Sequence, residues 1–323
     1  MTWTQTELDS VQQQIEGAQS IAVVSHQRPD GDAIGSLLAV AVAMEQAGKR
    51  VSAHLIDGLP GRFAFLPGAE LVSDVLPGNA DLWVFVDCAD ADRSGFPTEQ
   101  VPATIDVNVD HHPTNTRFAR HNFVDDQAAS TTQILFNLFP ALKIPVDAQI
   151  ATNLLVGLVT DTIGFRTRNV TPEVLELAAG LMRRGASLAD LYEKVLSERS
   201  FVSVRYWGMG LHRMQRSNGI VWTSLTIEDR GEVGYPGSDD ADLVNILSSI
   251  RGAQVALVFV EQSDSTVKVS WRSTPEHDVS EIALSFGGGG HKQAAGATIE
   301  GTLEEVQARV LTATEALFIP QEA

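Results

Sequence analysis

The sequence has few cysteines, few basic residues and no long apolar run. Its single cysteine, Cys88, excludes an internal disulfide framework and fits a reducing compartment. No uninterrupted apolar stretch approaches the length of about 20 residues that a membrane-spanning helix needs. The N-terminal segment MTWTQTELDSVQQQIEGAQ lacks a basic segment followed by an apolar run. We therefore expect a cytoplasmic protein with no membrane partner.

Basic residues are outnumbered by acidic ones, with 23 lysines and arginines against 41 aspartates and glutamates and a formal net charge of -18 at pH 7. A protein that binds long nucleic acid normally carries a broad cationic surface. The composition therefore disfavours long duplex nucleic acid as a partner. A nucleic acid substrate would have to be short and held locally by metal ions and a few arginines. The composition leaves the oligomeric state open, including a homodimer.

The first part of the chain alternates compact apolar runs with helical patterns. The predicted strands are Ile21–Ser25, Val51–Ile56, Leu82–Val86 and Ile105–Val109. The predicted helices are Ala33–Ala47, Ser130–Phe139, Asp147–Thr160 and one that begins at Pro172 and ends at Gly185. This alternation is typical of a parallel sheet covered by helices.

The pattern changes beyond Ser200, where a second domain is expected because 323 residues exceed the usual size of one domain. The predicted elements here are strands Ile220–Ile227, Val255–Val260 and Val267–Trp271, a helix Asp278–Phe286, and a helix from Thr302 with Glu305 completing a capping box. The predicted fold class is α/β, with a parallel-sheet N-terminal domain and a smaller α/β C-terminal domain. We predict a catalytic domain at 1–190, a helical linker at 191–217 and a substrate-binding domain at 218–323.

Four polar clusters in the first domain contain histidines and aspartates, residue types that commonly ligate metals. They are His26, Asp30 and Asp32 in SHQRPDGDAIGS, Asp87 in VFVDCADADRSG, Asp110, His111 and His112 in NVDHHPTN, and Asp161 in GLVTDTIGF. Three follow predicted strands, and open parallel sheets place their active sites at the carboxyl ends of strands. Imidazole and carboxylate groups suit Mn²⁺ or a similar divalent ion.

Each cluster alone could be a helix cap or a solvated loop. Four clusters at converging positions instead predict a metal site. So many carboxylates would repel one another unless cations neutralised them, and their number is enough for two metals rather than one. Two metals about 3.5–4 Å apart are the usual machinery for displacement at phosphorus.

A glycine run in the second domain, FGGGGHKQAAGA, is a candidate phosphate-binding segment. Because Gly288, Gly289 and Gly290 lack Cβ atoms, their backbone amides could approach a phosphate closely. A flexible loop is the alternative, and the following His291 favours phosphate binding. Two further residues at the end of a predicted strand, Arg272 and Ser273, could bind a second phosphate or the sugar.

These segments, in this order, resemble the DHH phosphoesterase family. NVDHHPTN carries the family signature, and FGGGGHKQAAGA is similar to the glycine-rich motif of the DHH-associated substrate domain. Within the family, the segments RGAQVALVF, VKVSWRS and DVSEIALSFGGGGHKQAAG look most like bacterial NrnA-type enzymes. Those enzymes are oligoribonucleases that also dephosphorylate pAp.

The resemblance implies two Mn²⁺ ions, with Mg²⁺ or Co²⁺ as other candidates. It implies that one ion is held by His26, Asp30 and Asp87, and the other by Asp32, Asp87, His111 and Asp161. Asp87 would then bridge the two ions. By the same resemblance the catalytic residues are Asp87, Asp110, which would orient ligands, and His112, which would face the substrate phosphate.

The predicted activity is hydrolysis of short oligoribonucleotides (nanoRNA) to mononucleotides, and of pAp to AMP, by a hydroxide that two metals activate. The expected partners are short RNA oligonucleotides, dinucleotides or pAp, held between the two domains. Two alternatives stay open. One is a phosphodiesterase for linear or cyclic signalling dinucleotides, which turnover of pApA against the cyclic form would separate. The other is a non-catalytic nucleotide-binding regulator, which metal-dependent release of mononucleotide from a dinucleotide would exclude.

Overall fold

The computed structural model describes residues 3–318, and the chain divides after Glu198 into two compact units. The helices of the first unit are α1 Gln5–Gly17, α2 Gly31–Gln46, α3 Thr131–Ala141, α4 Ala148–Asp161, α5 Pro172–Arg183 and α6 Leu188–Tyr192. Its strands are β1 Ser20–Val24, β2 Arg50–His54, β3 Val72–Ser73, β4 Leu82–Val86, β5 Val107–Asp110 and β6 His121–Val124. They form one sheet in the order β3-β2-β1-β4-β5-β6, with every pair of neighbours parallel.

Side chains of the central strands alternate between two apolar cores, as the period of a strand requires. Ile21 and Val23 of β1 belong to the larger core, which also contains side chains of α2, α3 and α4. Ala22 and Val24 belong to a smaller core with Phe85 of β4. Because both faces of the central strands are buried, these strands are continuous apolar runs in the sequence.

Two glycines allow α2 and α4 to approach closely. A Cβ atom at Gly35 of α2 would lie 2.4 Å from the carbonyl oxygen of Asn153, and one at Gly157 of α4 would lie 2.5 Å from a carboxylate oxygen of Asp32. Neither distance is possible for a real side chain. The contact brings the first turn of α2 against α4, the helix that ends at Asp161.

The second unit is built on its own six-stranded sheet. Its helices are α7 Phe201–His212, α8 Ile227–Val233, α9 Leu243–Ser248, α10 Ser280–Ser285 and α11 Leu303–Glu315. Its strands are β7 Gln215–Ser217, β8 Ile220–Leu225, β9 Val255–Glu261, β10 Thr266–Ser273, β11 Gly289–His291 and β12 Ala294–Glu300. The sheet order is β11-β12-β10-β9-β8-β7. Only the β8–β9 pair is parallel, and the other pairs are antiparallel.

The predicted fold class is confirmed: an α/β chain has a parallel sheet in its N-terminal part and a second, smaller α/β unit. The predicted capping box of Thr302 and Glu305 begins α11. The predicted strand at Ile220–Ile227 was too long, because Ile227 is the first residue of α8. The domain and linker boundaries stay predictions. Within residues 3–318, no helix has both the length and the apolar character to cross a membrane.

Candidate metal centre and substrate-binding residues

The predicted ligands of the first unit lie together at the carboxyl edge of its sheet. Their donor atoms form two groups of three, each with all atoms within 4.8 Å of one another: His26, Asp30 and Asp87, and Asp32, His111 and Asp161. Asp87 belongs to the first group and also lies close to the second. Its Oδ2 is 3.4 Å from His26 Nε2, and its Oδ1 is 3.8 Å from His111 Nε2. A third group joins Asp87 and His111 to His112.

The start of α2, just after the loop from β1, fixes the positions of Asp30 and Asp32. Asp30 is the N-cap of α2, and its Oδ1 accepts hydrogen bonds from the amides of Asp32 and Ala33, both at 3.0 Å. Asp30 is therefore a helix cap as well as a member of a donor group. Asp32 lies in the first turn of α2 and is buried.

Asp87 follows β4 directly and adopts the left-handed backbone conformation, with φ of 57°. Aspartate is one of the few residues other than glycine that enter this region with modest strain. Its backbone amide still donates to the carbonyl of Val109 on β5, at 2.9 Å. The residue thus stays attached to the sheet while its buried side chain lies among the predicted ligands.

Hydrogen bonds at Nδ1 orient the histidines. Nδ1 of His26 lies 2.9 Å from the carbonyl oxygen of Gln27, and Nδ1 of His111 lies 3.4 Å from that of Ala128. In both residues Nε2 is the nitrogen near the carboxylates. Metal-binding histidines are commonly fixed in this way by a carbonyl on the opposite ring nitrogen.

His112 is oriented by a chain of buried polar groups. Its Nδ1 lies 2.7 Å from Oδ1 of Asp110, and Oδ2 of Asp110 accepts a hydrogen bond from Asn115 Nδ2 at 2.7 Å. The same amide nitrogen also donates to Oδ1 of Asn108 at 2.8 Å. Asn115 is the last residue of NVDHHPTN, and no role was predicted for it. Its contact with Asp110 shows that it helps to hold the carboxylate that orients His112.

The many carboxylates of this site raise the pKa values of its histidines. Burial opposes the charge on His26, but the hydrogen bond and charge of Asp87 outweigh it and raise the imidazole pKa to about 9. Burial likewise opposes the charge on His111, and the carboxylates of Asp32, Asp87 and Asp161 raise its pKa to about 9.

The carboxyl groups of Asp32 and Asp161 are unfavourable in the charged form when no cation is present. Burial, with the charges of Asp87 and Asp161 next, raises the pKa of Asp32 well above its ordinary value. Burial raises the pKa of Asp161 to about 6; His111 opposes this, and the charges of Asp30 and Asp87 add to it. Divalent cations would stabilise the carboxyl groups in their ionised form and the imidazoles in their neutral form, which are the forms that ligate. The donor set therefore fits a metal such as Mn²⁺.

Metal binding should therefore release protons at neutral pH. Because the pKa values of His26 and His111 are about 9 without metal, both rings are protonated at pH 7 and must lose a proton to ligate. We expect apparent affinity for Mn²⁺ to rise steadily from pH 7 to pH 9 and then level off. Calorimetric titration in buffers of different ionisation enthalpy measures the proton release. Equal affinities at pH 7 and pH 8.5, with no protons released, would contradict this electrostatic description.

Arg272, the predicted substrate-binding arginine of the second unit, is fixed by two hydrogen bonds. Its Nε donates to Oδ1 of Asn245 at 3.0 Å and its Nη1 donates to the carbonyl of Trp271 at 2.9 Å. Burial lowers its pKa, while the charges of Asp240 and Asp242 act in the opposite direction. The sequence contained no clear signal for Asn245, because it reaches Arg272 only through the folding of α9 beside β10.

Two of the predicted substrate-binding glycines lie where the backbone of β12 leaves no room for a Cβ atom. A Cβ at Gly288 would lie 2.2 Å from the carbonyl oxygen of Gly296, and one at Gly290, where φ is 145°, would lie 2.5 Å from that of Ala294. Gly289 faces open space. The run is thus partly a paired edge strand, β11 against β12, rather than a flexible loop.

The other two predicted substrate-binding residues of this unit differ in their surroundings. The Ser273 hydroxyl donates to the carbonyl of His277 at 2.7 Å, so it closes a turn of its own chain. His291 is the last residue of β11 and is exposed.

Comparison with known proteins shows the family. Residues 20–158 match the DHH family, N-terminal domain, and residues 232–318 match the DHHA1 domain. The bifunctional oligoribonuclease and PAP phosphatase NrnA of Thermus thermophilus is 38% identical over 299 residues, which make up 91% of this chain and 88% of that protein. The chain belongs to the DHH family of phosphoesterases. The resemblance inferred from NVDHHPTN and FGGGGHKQAAGA is therefore confirmed.

Two further proteins show how far this DHH-family likeness extends. The protein named bifunctional oligoribonuclease and PAP phosphatase NrnA in Bacillus subtilis is 24% identical and covers 87% of this chain and 89% of its own length. An exopolyphosphatase-related protein from Bacteroides fragilis has a solved structure with a TM-score of 0.88 and 26% identity, covering 98% of both chains. The DHH-family likeness thus extends over both units.

Proposed function

We propose that this DHH-family chain is a phosphoesterase that uses two Mn²⁺ ions to hydrolyse short oligoribonucleotides to mononucleotides, and pAp to AMP. The observation that carries the proposal is the pair of donor groups around His26 and His111, each with its donor atoms within 4.8 Å and with Asp87 beside both. The 38% identity to a protein named as an oligoribonuclease and PAP phosphatase supports the substrate class.

Six side chains of the first unit would hold the cations. They are His26, Asp30, Asp32, Asp87, His111 and Asp161, with Asp87 shared between the two ions. When bound, the cations supply a hydroxide nucleophile near neutral pH and offset the charge of the phosphate. The chain's own contribution is to fix these ligands before substrate arrives, through the N-cap of α2, the left-handed turn at Asp87 and the carbonyl groups behind each imidazole.

His112, oriented by Asp110, would act on the substrate phosphate. The 2.7 Å contact between His112 Nδ1 and Asp110 Oδ1 fixes the ring, and the hydrogen bond and charge of Asp110 raise the His112 pKa against the effect of burial. A protonated imidazole held in one orientation can stabilise charge on a phosphate or donate a proton to a leaving oxygen. Its position next to His111 brings it to the reacting group.

The second unit would bind the part of the substrate beyond the reacting phosphate. Arg272 is held at Nε and Nη1, so Nη2 remains available for a phosphate or sugar oxygen within the described residues. The space beside the Cα of Gly289 is open, and the backbone there and the exposed His291 could contact the same substrate. With a net charge of -18, such local contacts favour dinucleotides and short oligomers over long strands.

The test is a panel of short RNA and DNA oligomers labelled at the 5′ or 3′ end, together with pAp, pApA and a cyclic dinucleotide, each with Mn²⁺, Mg²⁺ or Co²⁺. The proposal expects Mn²⁺-dependent release of mononucleotides from RNA of a few residues, and AMP from pAp. Exclusive turnover of a signalling dinucleotide would replace this function with the first alternative. Binding of dinucleotide without hydrolysis under any metal would replace it with a regulator.

Arg272 provides a separate test of substrate binding. Replacing it with alanine removes charge-assisted hydrogen bonds that contribute about 1.5–3 kcal/mol, so KM for a dinucleotide should rise about 10- to 100-fold while kcat changes little. Arg272→Lys should recover only part of the loss, because an ammonium lacks the planar fork. Lys268→Ala, earlier on the same strand β10, is the control and should leave KM unchanged. An unaltered KM in Arg272→Ala would show that this arginine does not bind the substrate.

A further inference from the structure

A threonine outside the four polar clusters contacts two of the proposed metal ligands. Thr131 is the first residue of α3, and it is fully buried. Its hydroxyl lies 2.8 Å from Oδ1 of Asp87, and its backbone amide donates to Oδ2 of Asp32 at 2.6 Å. Thr131 therefore links Asp87, the proposed bridging ligand, to Asp32 of the second donor group.

The Thr131 hydroxyl donates the hydrogen bond to Oδ1 of Asp87. A carboxylate that ligates a cation is ionised and can only accept. This bond restricts rotation of the carboxylate about its Cβ–Cγ bond.

The N-terminus of α3 holds Asp32 by a second route. The next residue, Thr132, donates its amide to Oδ1 of Asp32 at 3.1 Å, so each carboxylate oxygen accepts one helix amide. These are among the first amides of the helix, which have no partner inside it. The helix dipole also favours a negative charge at this end. Ser130 maintains the arrangement, because its side chain caps α3 by accepting from the amide of Gln133 at 3.1 Å.

We propose that Thr131 is a positioning residue of the metal centre, whose hydroxyl and amide together set the spacing of Asp87 and Asp32. The proposal rests on the proposed function, because it assumes that these carboxylates ligate cations. Groups that hydrogen-bond to metal ligands typically contribute 10- to 100-fold to metal affinity. Thr131 makes two such contacts to two different ligands.

The test compares Thr131→Val with Thr131→Ser by calorimetric titration of the full chain with Mn²⁺. Valine keeps the shape and the amide but lacks the hydroxyl, so the dissociation constant should rise about 10- to 100-fold. Serine keeps the hydroxyl and should restore most of the affinity. Thermal unfolding without metal reports separately on folding. Thr314→Val is the matched control, since this buried threonine of α11 donates its hydroxyl to the carbonyl of Val310 at 2.8 Å and should not affect Mn²⁺ affinity.

The outcomes separate this inference from the proposed function. If the unaltered protein binds no divalent cation, the metal centre itself is refuted. If the unaltered protein binds Mn²⁺ and Thr131→Val binds it equally well, only the role of Thr131 is refuted. Equal losses in Thr131→Val and Thr131→Ser would also overturn the inference, because they would indicate packing rather than the hydroxyl as the cause.

Discussion

Asp87→Asn should reduce turnover of a dinucleotide by at least about a thousandfold at saturating Mn²⁺. Asp87 lies beside both donor groups, so the substitution removes an anionic ligand from each proposed cation. The amide nitrogen of asparagine cannot accept a hydrogen bond or ligate a metal, while the size of the side chain is unchanged. Loss of about 4 kcal/mol of charge stabilisation in the transition state corresponds to that factor.

The control for this variant is Asp74→Asn, an exposed carboxylate of the same unit. It should retain full activity, which excludes a general effect of net charge. Steady-state kinetics with a labelled dinucleotide, combined with metal titration, measures both variants. Turnover of Asp87→Asn within tenfold of the unaltered protein would show that Asp87 does not bridge the cations.

Asp161→Asn should stabilise the metal-free protein and at the same time reduce its stabilisation by Mn²⁺. Burial and neighbouring carboxylates raise the pKa of Asp161 to about 6 in the folded, metal-free state, compared with about 3.9 in an unfolded chain. The folded state therefore binds more protons, and the free energy of unfolding falls as pH rises from about 4 to 6. At pH 7 the charged Asp161 carboxylate lowers the free energy of unfolding by its full amount. Asparagine carries no charge and removes this destabilisation.

We expect metal-free Asp161→Asn to gain about 1–2 kcal/mol at pH 7, seen as a higher unfolding temperature. The gain should disappear near pH 3, below both pKa values, where Asp161 is protonated in both states. Addition of Mn²⁺ should raise the unfolding temperature of the unaltered protein more than that of the variant, which keeps only the ligands of the first proposed cation intact. Thermal unfolding at both pH values, with and without metal, gives the answer. A variant that is less stable than the unaltered protein at pH 7 without metal would contradict the assigned electrostatics.

The predicted parts of the fold are those with a local signal in the sequence. The strand Leu82–Val86 was predicted with the bounds that β4 has in the structure, because a strand buried on both faces is an uninterrupted apolar run. Ser130 and Thr302 were predicted as helix starts because a capping side chain is read from a few adjacent residues. The ligand clusters were located because the carboxyl ends of neighbouring parallel strands share one edge.

The parts that were missed depend on contacts between distant segments. Nothing near Thr131 indicates that its hydroxyl meets Asp87, which is 44 residues away in sequence. The edge strand β6 pairs with only one neighbour, β5, and its half-buried side chains give no continuous apolar run. The glycine run predicted phosphate binding, but the sequence alone did not show that β12 leaves no room for a Cβ at Gly288. Such constraints become visible only when the partner segment is in place.

We propose that this chain holds two divalent cations among six side chains of its first unit. Anomalous diffraction at the manganese edge, from crystals grown with Mn²⁺, would locate them. We expect two peaks about 3.5–4 Å apart, one beside His26 and the other beside His111, with Asp87 touching both. A single peak, or peaks remote from Asp87, would contradict this proposal.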